Sequence, residues 1–332
     1  MPKNMNVPFA KFHALGNDWL VVGGKGLPRS LSKFARAILD RHTGLGADGL
    51  VVMLPPRNKK HVARIRFYNA DGSEAEMSGN GIRCAGAFLA ELSPARRTFL
   101  VETPAGSKSL EKVKEEKGRW LFRVGMGAPV LDPAEIPFKA GACTTPVKGY
   151  PLRTRQGVLP VTVTSMGNPH CSILVEDFGP AVLRRAGRAG LRTTLVAVRG
   201  RPQGPPLQEA AESMKSAALD YLLNWESLGR EIERHPLFPN RTNVEFVKVV
   251  SRNEIEVRFW ERGVGHTMSS GTGSCAAAAA SILNGLTDRQ VRVRTEAGAL
   301  QVEWPENEEV ILTGPVERVA RGTYNCPLPF AV

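Results

Sequence analysis

An internal repeat is the feature that most constrains how this chain folds, because sliding the sequence by 192 residues aligns two segments without a gap. From Arg66 to Gly106, 12 of the 41 residues are identical to their partners. The identities include a Ser-Gly-x-Gly group at 78–81 that recurs at 270–273. Self-similarity at a fixed spacing marks a repeated structural unit, so the sequence predicts a duplicated domain.

Each copy contains the same order of predicted elements: a strand, a glycine-rich turn, a helix and a second strand. The strands are indicated by apolar residues that alternate with a period of two. The helix of the second copy, CAAAAASIL, is apolar on every face and is expected to be buried on all sides. Each half is therefore predicted to wrap its strands around a central helix. The predicted strand, helix and second strand occupy 63–68, 84–92 and 98–102 in the first copy and 254–260, 275–283 and 290–294 in the second.

Composition and charge narrow the class of protein. A length of 332 residues suits about two domains. The longest apolar run, at 275–283, is far short of the roughly 20 residues that cross a bilayer, so a membrane-spanning protein is excluded. The net charge of +12 comes from scattered basic residues and predicts a solvated basic surface. A nucleic-acid partner stays a distant third possibility, and no aromatic-basic motif supports it.

The cysteines and the N-terminus predict a cytoplasmic protein with free thiols. The five cysteines are odd in number, widely spaced and without a CxxC pair, which argues against a disulfide framework and a zinc site. The N-terminus has no apolar signal region. His170, beside Cys171, fits neither zinc spacing nor a thiol-activating pair and is expected to be a satisfied structural histidine with a supporting role. No metal and no cofactor are predicted.

The two Ser-Gly-x-Gly groups are the candidate binding elements. Such a turn at the start of a helix presents unpaired backbone N–H groups and the positive end of the helix dipole to a carboxylate or phosphate. The alternative is that Ser78 and Ser270 are ordinary N-caps. A P-loop is poorly supported because neither turn has its lysine, and no GxSxG hydrolase motif is present. Matched copies beside polar strand ends favour a shared anion site.

Several motifs, in order, resemble those of the diaminopimelate epimerases. They cover most of the chain: FHALGNDW (12–19), RHTGLGADGL (41–50), NADGSEAEMSGNGIRC (69–84), GNPHC (167–171), HPLFPNRTNVEFV (235–247), WERGVGHT (260–267) and SGTGSCAAA (270–278). The resemblance implies an α+β fold of two pseudo-symmetric domains, each a mixed β-sheet curled around a central helix, with substrate in the cleft between them. The expected domains are 1–127 plus 315–332, and 128–314. Pro180 to about Asn224 is expected to be an insertion, helical after Gln208.

The resemblance also implies a reaction and a set of site residues. The family inverts an α-carbon without a cofactor by moving a proton between two cysteines, interconverting LL- and meso-2,6-diaminopimelate in lysine and peptidoglycan precursor synthesis. Glu261 and Arg262 would lie at the distal end of the substrate, where a guanidinium reads a carboxylate bidentately. A homodimer is a family expectation. The other substrate contacts fall on Asn17, Asn69, Asn168 and Asn243, and the carboxylate-binding turn residues on Gly79, Asn80, Gly271 and Thr272.

One departure bears on catalysis, because the two catalytic cysteine positions of the family hold Ser78 and Ser270. A serine hydroxyl is a far weaker acid than a thiol and needs an adjacent base. Three interpretations follow. The chain is an epimerase, with serines activated by a neighbour such as His266 or Glu74 or inactivated by the two substitutions. Alternatively, it catalyses a changed reaction of the wider superfamily, as a dehydratase or another racemase, or it is a non-catalytic amino-acid-binding protein.

Overall fold

A computed structural model describes residues 5–139, 141, 143–178, 225–306 and 308–326. The chain divides into two compact units, the first comprising Met1–Met126 with Ile311–Val332 and the second Gly127–Val310. Strands dominate both units, and the predicted α+β class is confirmed. The helices of the described residues are α1 (Leu31–Leu39), α2 (Gly79–Leu92), α3 (Trp225–Glu233) and α4 (Gly271–Leu283).

The strands are numbered in chain order. They are β1 (Met5–Ala14), β2 (Asn17–Gly23), β3 (Gly49–Leu54), β4 (Ala63–Asn69), β5 (Glu74–Ala75), β6 (Thr98–Thr103), β7 (Gly106–Glu116), β8 (Arg119–Gly127), β9 (Tyr150–Thr154), β10 (Gly157–Ser165), β11 (Pro169–Val175), β12 (Asn243–Ser251), β13 (Glu254–Glu261), β14 (Gly265–Thr267), β15 (Gln290–Thr295), β16 (Gly298–Glu303) and β17 (Val310–Cys326).

The first unit is a mixed sheet that closes into a ring. Its strands pair in the order β17-β1-β2-β3-β4-β6-β7-β8, and β8 pairs back to β17. The pairs β2–β3 and β4–β6 are parallel. The pairs β1–β17, β1–β2, β3–β4, β6–β7 and β7–β8 are antiparallel. Helix α2 packs against β1, β2, β3 and β7, and most of its residues are buried. The strands of this unit therefore surround a central helix.

The second unit repeats this pattern. Its sheet runs β9-β10-β11-β12-β13-β15-β16, with β14 also beside β13. The parallel pairs are β11–β12 and β13–β15, at the places equivalent to β2–β3 and β4–β6. Helix α4 packs against β10, β11, β12, β13, β15 and β16, and every residue from Gly273 to Ser281 is buried. The predicted duplication and the buried alanine-rich helix are both seen in the structure.

Both central helices begin earlier than the sequence predicts. The glycine-rich groups are the first helical turn and not a separate turn, so α2 starts at Gly79 and α4 at Gly271. The reason is the serine before each group: its extended backbone and side-chain oxygen cap the helix immediately. The predicted starts at Cys84 and Cys275 were wrong by one turn or more.

The third helical residue of each group must be small because it touches an aromatic ring. A Cβ on Gly81 would lie 3.1 Å from Phe67, and a Cβ on Gly273 would lie 2.9 Å from Phe259. Phe67 and Phe259 occupy equivalent places on β4 and β13. The repeated glycine thus allows each helix start to approach its sheet closely.

The predicted insertion at 180–224 lies outside the described residues, as does its predicted helix after Gln208. Among the helices that are described, none has the length and apolar character needed to cross a membrane.

Candidate functional site

Each unit offers a helix N-terminus with two uncommitted backbone N–H groups. In α2 the N–H of Gly81 donates to Ser78 Oγ (3.0 Å) and that of Ile82 to the Ser78 carbonyl (2.9 Å). In α4 the N–H of Gly273 donates to Ser270 Oγ (3.2 Å) and that of Ser274 to the Ser270 carbonyl (3.0 Å).

The first two N–H groups of each helix are left over from this capping. No acceptor within the described ranges takes the N–H of Gly79 or Asn80, nor that of Gly271 or Thr272. These are the four residues that the motif comparison assigns to carboxylate binding. Two free N–H groups at the positive end of a helix dipole form a site for one anionic group.

The hydroxyl oxygens of the two serines are both used as cap acceptors. Ser270 is buried and Ser78 is half-buried. Among the described residues of its own unit, neither hydroxyl is hydrogen-bonded to a carboxylate or an imidazole. Glu74 instead binds the guanidinium of Arg66 (Oε1 to Nε, 2.6 Å), and His266 Nε2 lies 2.5 Å from Glu296 Oε2. The neighbours considered as activating groups are therefore held by other partners.

The cysteines that follow the serines do not replace them. Cys84 and Cys275 are fully buried in α2 and α4. Burial raises the pKa of the Cys84 thiol to about 12, so its thiolate is inaccessible near neutral pH. All five cysteines are free thiols. Acid–base chemistry at these two N-termini would have to use the serines themselves.

In the first unit, the Asn17 side chain is held by a ring of hydrogen bonds. Its Oδ1 accepts from Trp19 Nε1 (2.5 Å) and from Asn80 Nδ2 (3.0 Å). Its Nδ2 donates to Asp48 Oδ2 (2.9 Å). Arg83, buried in α2, donates to Asn80 Oδ1 (2.8 Å). The structure thus brings two predicted site residues, Asn17 and Asn80, into direct contact at the start of α2.

Charged groups behind Asn17 stabilise this arrangement. Burial opposes ionisation of Asp18, but hydrogen bonds from Lys11 and Arg41 outweigh it and lower the pKa of Asp18 to about 2. Burial raises the pKa of the adjacent Asp48. Arg41 bridges both carboxylates at 2.9 and 2.7 Å. The start of β2 is therefore fixed to the segment before β3.

Asn69 is the last residue of β4 and lies at the same end of the sheet as Asn17. The register places Trp19 opposite Gly49, and Gly49 opposite Asn69. The exposed Asn69 side chain donates through Nδ2 to Ser73 Oγ (2.9 Å), which leaves its Oδ1 open. Asn69 therefore lies two strands away from the start of β2, at the end of the sheet where Asn17 lies.

In the second unit, a buried histidine holds Asn168. Nε2 of His170 lies 2.9 Å from Asn168 Oδ1, and Nδ1 lies 2.6 Å from Glu245 Oε1. Ser172 donates to the other Glu245 oxygen (3.2 Å). The imidazole of His170 thus lies between the Asn168 side chain and the Glu245 carboxylate. The ring therefore supports Asn168.

In both units an aromatic ring nitrogen holds the asparagine side chain, but the rings differ. Trp19 stands two residues after Asn17, as His170 stands two residues after Asn168, and each ring nitrogen bonds the asparagine Oδ1. Sequence reasoning missed Trp19 and Glu245. A charged Glu245 within the apolar strand NVEFVKVV was a usable signal, because buried acids require a partner. That the partner is His170, 75 residues away, was not visible in the sequence.

Asn243 and Arg262 are also brought together. Asn243 is buried at the start of β12, where Nδ2 donates to the Pro169 carbonyl (3.0 Å) and Oδ1 accepts the N–H of Arg262 (2.9 Å). The Arg262 side chain is exposed and donates to the Asn240 carbonyl (3.2 Å). No ion pair to Arg262 is found in the described part of the chain. Its guanidinium is therefore available to an anionic ligand. Glu261 is half-buried at the end of β13.

The described ranges contain no group of three or more His, Cys, Asp or Glu side chains arranged to hold a metal ion. In each unit the uncommitted N–H groups instead suit an anionic group of a ligand, and the Arg262 guanidinium of the second unit suits another.

Solved structures show the class of fold. The chain is similar to a hydroxyproline epimerase from Agrobacterium vitis, with a TM-score of 0.62 at 15% identity over 98% of this chain and 94% of that one. It is also similar to a phenazine biosynthesis protein of the PhzF family from Bacillus anthracis, with a TM-score of 0.60 at 15% identity over 96% and 99%. The duplicated sheet around a central helix is thus an epimerase-like fold.

Sequence comparison shows the family. The diaminopimelate epimerase family model matches residues 9–131 and 212–319. A diaminopimelate epimerase of Pelotomaculum thermopropionicum is 40% identical over 320 residues, which are 95% of this chain and 98% of that protein. One from Halothermothrix orenii is 38% identical over 96% and 98%. The chain belongs to the diaminopimelate epimerase family, a family of isomerases.

Proposed function

We propose that this protein interconverts LL- and meso-2,6-diaminopimelate without a cofactor, with Ser78 and Ser270 at the two acid–base positions. The observation that carries the proposal is the matched pair of N-cap serines, each followed by two uncommitted N–H groups. Donors of this kind favour the negative charge that develops on an α-carboxylate when its α-proton leaves.

The predicted substrate contacts support the same ligand. Asn17 begins β2, Asn69 ends β4 and Asn168 directly precedes β11. Each keeps some side-chain hydrogen-bonding capacity beyond its bonds within the protein. The exposed Arg262 guanidinium, whose Nη1 donates to the Asn240 carbonyl, keeps further N–H donors for the distal carboxylate. The relatives named above are called diaminopimelate epimerases. We also propose a cytoplasmic homodimer, on the grounds of the free thiols and the family resemblance.

Exchange of the substrate α-proton with deuterated water tests the proposal. NMR would follow LL- and meso-diaminopimelate with the unmodified protein and with the Ser78→Cys/Ser270→Cys variant. We expect exchange with inversion by the unmodified protein, at a rate below that of the variant because a thiol is the stronger acid. Exchange that appears only in the double-cysteine variant would contradict the catalytic proposal.

One observation favours a second candidate function, a binding protein for the same ligand. Each serine hydroxyl lacks a hydrogen-bonded base among the residues of its unit that the structure describes, and a serine needs one to accept a proton. A binding protein would show saturable calorimetric binding of diaminopimelate and no proton exchange. Calorimetry on the same samples therefore separates the two functions.

A further inference from the structure

Glu233 is a buried carboxylate that sequence reasoning did not identify. It is the last residue of α3, and only 3% of its surface is exposed. Oε2 accepts from Trp260 Nε1 (2.9 Å) and Oε1 accepts from the N–H of Gly263 (3.0 Å). Arg241 lies 3.6 Å from Oε1. Removing a carboxylate from water is costly, so its two backbone and indole donors indicate a specific task.

Glu233 holds the turn that carries Arg262. This turn runs from Glu261 to Val264 and is closed by a bond from the Val264 N–H to the Glu261 carbonyl (3.1 Å). Gly263 has a φ of 77°, which suits glycine at the third position of such a turn. The apex residue Arg262 thereby projects its side chain to solvent.

Three successive N–H groups of the turn have three different acceptors. The N–H of Arg262 binds Asn243, that of Gly263 binds Glu233, and that of Val264 binds Glu261. Asn243 is itself attached to Glu233, because the preceding Thr242 donates its N–H to the Glu233 carbonyl (3.1 Å). Helix α3 is also packed tightly here, since a Cβ on Gly229 would lie 2.7 Å from the Trp260 Cβ.

We infer that Glu233 is a positioning residue that fixes where the Arg262 guanidinium meets the distal carboxylate of the ligand, and so sets the preference for dicarboxylate over monocarboxylate amino acids. The inference rests on the proposed function. Bidentate recognition by arginine depends on the placement of a planar group. A carboxylate that accepts the N–H of Gly263, directly after Arg262, and the indole N–H of Trp260, two residues before it, controls that placement without touching the ligand.

Calorimetric titration with two ligands tests this role: meso-diaminopimelate, and L-lysine, which lacks the distal carboxylate. Glu233→Gln places an amide against one of the two donors and is expected to weaken diaminopimelate binding about tenfold, the scale of one disturbed charged contact. Lysine binding is expected to stay unchanged. In an Arg262→Ala background, Glu233→Gln is expected to cause no further loss of diaminopimelate affinity, because the guanidinium that Glu233 positions is absent.

Glu226→Gln is the matched control, because Glu226 is an exposed acid on the same helix. Thermal melting checks that each variant is folded. If Glu233→Gln fails this check, Glu233→Asp, which keeps the charge but withdraws it by one methylene, is used with the same expected loss of diaminopimelate preference.

The outcomes separate this inference from the function on which it rests. Equal weakening of both ligands would mean that Glu233 only stabilises the fold, and unchanged diaminopimelate binding would also overturn the inference. If the unmodified protein binds no diaminopimelate, the proposed function fails and the inference fails with it.

Discussion

At the level of single residues, Ser78 and Ser270 show how one side chain can have a structural and a chemical role at one atom. Each Oγ accepts the N–H of the third helical residue, so the hydroxyl oxygen is placed by the cap. The same bond occupies an oxygen lone pair that would otherwise be open to a proton. Capping therefore depends on the oxygen alone, whereas proton transfer also depends on the acidity of the group.

Two substitutions of Ser270 separate these roles. Ser270→Ala is expected to lower the free energy of unfolding by about 1 kcal/mol, and Ser270→Gly by only a few tenths, because glycine is tolerated at an N-cap. Both variants are expected to lose inversion of the α-carbon, since inversion needs a hydroxyl at both positions, and to keep at most the α-proton exchange of the one isomer that Ser78 deprotonates. Urea unfolding followed by circular dichroism, together with the NMR exchange assay, measures both quantities.

Ser109→Ala, on the exposed face of β7, is the control and is expected to change neither stability nor exchange. Retained inversion by Ser270→Gly would show that Ser270 is not an acid–base group.

At the level of elements, the period-two strands could be predicted because one face of each is buried. In β4 the side chains of Ala63, Ile65 and Phe67 are buried between more exposed arginines, as the alternation indicates. The helix starts were missed because glycines were interpreted as turn formers, while the serine cap extends each helix over them. Contacts such as His170 with Glu245 join distant segments and depend on sheet register, which local patterns do not encode.

The close approach of α4 to β13 gives a prediction at this scale. Gly273→Ala would improve helix propensity, but its Cβ would lie 2.9 Å from Phe259 and 3.0 Å from Ser270 Oγ. We expect the steric clash of the added Cβ to outweigh the gain in helix propensity, so that the free energy of unfolding falls by roughly 1–3 kcal/mol. Ligand affinity should fall as well, because the displaced helix start carries the N–H groups of Gly271 and Thr272.

Gly23→Ala is the matched control, since an added Cβ there meets no atom within 4 Å. Denaturant midpoints of the two variants test the idea. A Gly273→Ala protein as stable as the unmodified chain would show that the ring of Phe259 moves aside freely.

At the level of the whole molecule, the first unit is completed by the far end of the chain. Strand β17 pairs with both β1 and β8 and closes the ring around α2. The pairing of Met5 with Cys326 joins residues from opposite ends of the sequence. Such non-local closure has a high entropic cost, so contacts that hold β17 in place are expected to matter for the stability of the entire unit.

Glu91 makes the contact that best tests this dependence. Near the end of α2, its side chain is 8% exposed and binds both Arg318 (2.9 Å) and Arg321 of β17. Glu91→Gln leaves two arginines facing a neutral amide. We expect a loss of roughly 2 kcal/mol, below the 3–5 kcal/mol for a fully buried pair because the arginines are partly exposed. Hydrogen exchange should increase along β17, as measured by mass spectrometry.

The control for Glu91→Gln is Glu116→Gln, which removes an exposed partner of Lys114 and is expected to change stability by less than about 1 kcal/mol. Faster backbone amide hydrogen exchange confined to the end of α2, with β17 unaffected, would contradict the role of Glu91 in ring closure. Faster exchange in β17 together with β1 and β8 would support it, because both neighbours lose their hydrogen-bonding partner when β17 detaches.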